Sequence, residues 1–165
     1  MPTPLHHSNI RKRVRTMTKP QSNALRLATL LWIVWGLVHI LAGIIILSSD
    51  ASAGFAAVAD AVDSAALAAD YHPAVGGILK QHGFNLLWIG TVTFIGAFFI
   101  WRGQATAIWV TALVGGLADV GYLLFVDLPG YVRFFPGTLM TIVSASAIVL
   151  SFWAWRQLAK ERQDH

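Results

Sequence analysis

Cysteine is absent from the 165 residues, which excludes disulfides, thiolate nucleophiles and cysteine-ligated metals. Charge is scarce as well. Asp, Glu, Lys and Arg make up 12% of the chain, about half of the ~25% that an ordinary soluble domain carries. The shortage is uneven: long stretches carry no charge at all, and such stretches mark structure that faces lipid. Catalytic and nucleotide-binding motifs are also missing. The chain has no Walker A loop, no G-x-S-x-G elbow and no dinucleotide fingerprint, and no basic groove with interleaved aromatics points to nucleic acid.

What is there is apolar. Hydrophobic residues make up 56% of the chain, and the mean hydropathy is +0.60. Four runs stand out, at 27–47, 83–101, 105–126 and 134–155. Each is close to the ~20 residues that cross a ~30 Å hydrocarbon core at 1.5 Å per residue. Peptide groups find no water there, so such runs must be helical. The expected fold is all-α: an integral membrane four-helix bundle, antiparallel and up-down, over residues 24–155. A flexible basic tail (1–23) precedes it and a short tail (156–165) follows.

Orientation is read from the cations. The net charge of +4 comes from clusters at the two ends: Arg11, Lys12, Arg13, Arg15, Lys19 and Arg26, then Arg156, Lys160 and Arg162. The short turn Arg102-Gly103-Gln104 adds one more. The loop at 48–77 instead holds Asp50, Asp60, Asp63 and Asp70 and no Lys or Arg. The positive-inside bias puts both termini in the cytoplasm. Lys80 and Arg133 are exceptions near the outer ends of their helices, where long side chains snorkel. Trp32, Trp101, Trp153 and Trp155 are expected as interfacial anchors. The layout resembles that of many small bacterial membrane proteins, so the inner (plasma) membrane is the expected location.

Asp50-Ala51-Ser52-Ala53-Gly54 has the look of a signal-peptidase site. However, a signal h-region has about 7 to 15 residues, and the run at 27–47 is longer and carries Trp32, Trp35 and His39, so it reads as a span. Met17 is a second candidate for the initiating residue. In the outer loop Phe55, Val58, Val62 and Ala65 or Ala66 recur at helical spacing, with Asp60 and Asp63 on another face. This predicts a short amphipathic helix that ends before Pro73 and Gly76-Gly77. The third and fourth spans are joined by 127–133, whose Pro129-Gly130 favours a turn. Gly36 and Gly43, and likewise Gly83 and Gly90, share a seven-residue interval that places small residues on one face for close helix approach; Gly115-Gly116 offers the same in the third span.

Polar residues inside the spans are the candidates for function, because an Asp at a helix centre costs about 2.5 to 3.5 kcal/mol on insertion scales. These are His39, Asn85, Asp119, and the hydroxyl series Thr138, Thr141, Ser144 and Ser151. His39 and Asp119 each lie about 12 Å below the outer end of their helix at 1.5 Å per residue, so they match in depth. His82 shares a face with Asn85, Asp119 with Tyr122, and Trp35 with His39. An outward-opening pocket of Trp35, His39, His82, Asn85, Asp119 and Tyr122 is therefore expected.

A His39–Asp119 bond that fixes helix register explains these residues without a function. The functional readings are several. The chain could be an accessory subunit, or a lipid or small-molecule binder using the pocket. It could be a membrane-embedded enzyme in which His39 and Asp119 transfer protons on a lipophilic substrate. It could also carry protons or a small ion as an oligomer. Two His and one Asp could hold zinc or copper, but their spacing lacks a compact signature; His39 and His82 could be axial ligands of a haem. Asp127 and Arg133 flank the outer turn as an interface pair, or Arg133 meets a lipid phosphate. His6, His7, His72 and His165 read as solvated. The expected partners are membrane lipids and a protein partner or a second copy, with no nucleic acid.

Overall fold

The computed structural model describes residues 19–59 and 69–163. Within them every long element is helical: α1 (Lys19–Ser48), α2 (Ala51–Ala59), α3 (Pro73–Trp101), α4 (Ala105–Tyr122) and α5 (Leu139–Gln163). A short π-helical segment extends α4 (Leu123–Asp127), and a kinked segment (Phe134–Thr138), with Phe135 in extended backbone at φ −106° and ψ 134°, precedes α5. The chain has four helices long and apolar enough to cross a membrane, at Asn23–Ser48, Pro73–Trp101, Ala105–Asp127 and Phe134–Gln157. That marks an integral membrane protein. Most of the tail at 1–23, Met17 included, and Asp60, Val62, Asp63, Ala65 and Ala66 of the outer loop lie outside the described residues.

Two helix starts differ from the sequence reading. α1 begins at Lys19 rather than in the twenties, with Pro20 in its first turn, where a missing N–H costs nothing. α3 begins at Pro73 and runs through Gly76 and Gly77 without a break. Pro73 was expected to end a loop helix, but it opens the next one: His72 Nδ1 accepts from the Ala74 N–H at 3.2 Å, and proline sits in the first turn. α2 follows Asp50, whose Oδ1 accepts from the Ala53 N–H at 2.8 Å.

The turn between α3 and α4 closes in three residues. Gly103 N–H reaches Ile100 O at 2.8 Å and Gln104 N–H reaches Phe99 O at 3.1 Å, with Gly103 at φ 72°. This paired bonding is a Schellman cap, and it satisfies carbonyls that the helix end would leave orphaned.

α1 packs most extensively on α3 and also on α5, while α4 lies against α3 and α5. Glycine sets the α1–α3 distance. A Cβ on Gly36 would stand 2.9 Å from Gly90 O, and one on Gly43 2.6 Å from Gly83 O. Position 36 thus meets 90 while 43 meets 83. The interior is filled by Trp32 and Trp35 of α1, crossing edge-on at 5.8 Å, with Ala97, Ile100, Ile108, Met140, Ala147 and Ala154 around them. Trp32 is therefore a core residue, 1% exposed, and not the interfacial anchor its position suggested; Trp101 and Trp153 do face outward. Leu27, Leu30, Val34, Leu37, Leu41 and Ile44 form an exposed apolar face on α1, far more than a water-facing surface carries and what hydrocarbon requires.

Candidate functional site

One face of α4 turns inward through Ile108, Thr111, Gly115 and Asp119, the spacing of a single helical stripe. Gly115 makes room for the Trp32 ring, whose Cζ3 would lie 2.5 Å from a Cβ there. One turn further on, Asp119 is 5% exposed. Its Oδ2 accepts the Trp35 indole N–H at 2.8 Å. Ser144 of α5 is also buried, and its hydroxyl donates to Thr141 O at 3.1 Å. Asp119 therefore ties α4 to α1 through one buried acid, which meets the requirement that a lipid-embedded carboxylate be partnered.

His39 sits on the other side of Trp35. Its ring stacks on the indole at 3.5 Å between centroids, tilted by 20°, and its Nδ1 lies 2.8 Å from the Trp35 carbonyl oxygen. A carbonyl only accepts, so Nδ1 carries the proton and Nε2 presents a lone pair. His39 and Asp119 thus share Trp35 but make no hydrogen bond to each other; the direct bond expected from matched depth is replaced by an indole between them.

The remaining pocket candidates are dispersed. His82 is exposed on α3. Asn85 Oδ1 accepts from Trp88 Nε1 at 3.1 Å, a bond along α3 itself. Tyr122 packs with Phe55, Val126 and Val132, and its hydroxyl occupies the space a side chain at Gly137 would take. The Asp127–Arg133 pair expected from the sequence is not formed among the described residues. Asp127 Oδ1 accepts instead from Thr138 at 2.9 Å, across the kinked segment at Phe135, and Arg133 is exposed. Among the described residues no group of three His, Asp or Glu is arranged to hold a metal.

A different site was not foreseen. An open cleft of about 530 Å³ lies where the start of α2 faces the first two turns of α3. Asp50, Ser52, Asp70, Tyr71 and Lys80 line it, over the glycines 76 and 77. Its wall is tied by Ser52 Oγ, which donates to Ala69 O at 2.8 Å, and by Phe55 against Tyr71 at 5.7 Å. Asp70 and Lys80 are exposed and form no ion pair among the described residues. The sequence carried a usable signal. Asp50 and Asp70 bracket the outer loop and Lys80 is the first cation after it, so a loop that folds back places opposite charges at one mouth.

Comparison with protein-family models, with characterised proteins and with solved structures finds no match to this chain.

Proposed function

We propose that this small integral membrane protein works by binding, as an accessory subunit or as a lipid or small-molecule binder, and that the binding site is the outer-end cleft. The observation that carries the reading is that the cleft is open and lined by charges of both signs, of which Asp70 and Lys80 form no ion pair among the described residues, whereas the buried carboxylate already has Trp35 as a donor. Pockets with a few convergent polar groups are the usual sites of small ligands. The test is purification in mild detergent followed by mass spectrometry. Stoichiometric retention of a lipid, small molecule or protein supports the reading; a stable chain that retains nothing overturns it.

The topology belongs to the same proposal: an antiparallel up-down four-helix bundle in a bacterial inner membrane, with both termini cytoplasmic. The reversed order of the 36–90 and 43–83 contacts supports an antiparallel course. So do the Arg26 guanidinium at 5.8 Å over Trp101, and Trp109 of α4 against Trp155 of α5 at 6.2 Å, which gather the cationic ends together.

A second reading, proton transfer by His39 and Asp119, has one observation in its favour: His39 Nε2 has no hydrogen-bond partner among the described residues. It requires Asp119→Asn to abolish turnover of a lipophilic substrate at unchanged thermal stability. Parallel loss of both assigns the residue to architecture.

A further inference from the structure

The depth of the cleft, together with its charges, narrows what it can hold. Lys80 lies about 30 Å along α3 from Trp101 at 1.5 Å per residue, one hydrocarbon thickness. Asp50 stands just past the outer end of α1. The cleft therefore opens in the headgroup layer, above the acyl chains.

Its charges are of both signs. Lys80 opposes a simple cation, and Asp50 with Asp70 opposes a simple anion. Asp50 uses Oδ1 to cap α2, which leaves Oδ2 as an acceptor. A ligand satisfies both signs only if it carries a cationic and an anionic group, and in the headgroup layer the zwitterion at hand is an ammonium beside a phosphate. The ammonium must also have N–H groups, because carboxylates bind it through charge-assisted hydrogen bonds. A quaternary ammonium offers none and prefers an aromatic cage, and among the described residues that line the cleft Tyr71 alone is aromatic.

Resting on the binding reading above, we propose that the cleft recognises a zwitterionic phosphoester with a primary amine, the chemistry of an ethanolamine phosphate headgroup. The ammonium lies between Asp50 and Asp70, and the phosphate meets Lys80.

The test uses the full chain in nanodiscs. One set holds phosphatidylethanolamine with phosphatidylglycerol, another phosphatidylcholine with phosphatidylglycerol, and lipid retention after detergent extraction is read by native mass spectrometry. The wild type retains the ethanolamine lipid over the choline lipid. Asp70→Asn reduces that preference about tenfold, the loss of roughly one charge-assisted bond, and Lys80→Gln reduces retention of both lipids by a similar factor, because the phosphate is common to them. Both positions are exposed, so an unchanged melting temperature checks the fold. Equal retention of the two lipids by the wild type, a preference that survives Asp70→Asn, or retention unaffected by Lys80→Gln overturns the proposal. If the cleft variants still displace some other retained molecule, the headgroup assignment fails while the binding reading stands; if nothing retained depends on the cleft, both fail. Soluble phosphoethanolamine added to delipidated protein identifies the source. Stabilisation lost in Asp70→Asn supports the same chemistry with a free ligand, and stabilisation by the lipid alone supports a bilayer ligand.

Discussion

An acid on a helix that faces hydrocarbon survives only where other helices supply donors, and Asp119 obtains one from an indole. Trp35 is fully buried, so its N–H would be orphaned without the carboxylate, and each group needs the other. A double-mutant cycle with Trp35→Phe and Asp119→Leu measures that dependence. The expected coupling, from unfolding in mixed micelles, is about 1 kcal/mol, within the range of intramembrane hydrogen bonds. Each single variant loses more than the additive expectation allows in the double variant, and a coupling near zero would assign the stability to ring packing alone. The sequence made the cost of Asp119 plain but not its partner. Depth along a helix follows from counting residues, whereas rotation about the axis is set by packing. Trp35 lies one turn from His39, and the glycines at 36 and 90 decide which of the two faces α4. The same gap hid the Asp127–Thr138 bond, which spans a kink at Phe135 that no residue pattern announced.

At the scale of elements, glycine is where the sequence was most legible. The seven-residue interval repeated in two helices predicted a close contact, and the structure places Gly43 so near Gly83 O and Leu87 N that a Cβ there overlaps backbone. Gly43→Ala must therefore push α1 from α3, at a cost of about 1 to 3 kcal/mol for overpacking. Gly121 of α4 has open space around its Cβ position, and Gly121→Ala is expected to gain about 0.5 to 1 kcal/mol from helix propensity. Melting temperatures moving in opposite directions would verify both, and a neutral Gly43→Ala would deny that the glycines set the spacing. Pro73 shows the opposite case. A proline between an Ala-rich loop and an apolar run fits either a helix stop or a first-turn position, and the sequence reading took the first. The His72 cap decided for the second.

For the whole molecule, the absence of cysteine turns a compositional fact into an experiment. A single introduced thiol is the only reactive one in the chain, so an impermeant maleimide reports sidedness without background. If the positive-inside asymmetry governs insertion, a cysteine replacing Asp70 beside the cleft is labelled in intact cells. Cysteines replacing Arg102 or Lys160 are labelled only after permeabilisation. The three positions are exposed, so burial does not imitate protection by the membrane. Arg102 is the informative one, because the Gly103 turn is too short to hide a residue and joins two spans. Labelling of Arg102 and Asp70 from the same side would mean that α3 does not cross. Labelling of all three positions with the sides exchanged would invert the protein, move the cleft to the inner leaflet and change which headgroups could reach it.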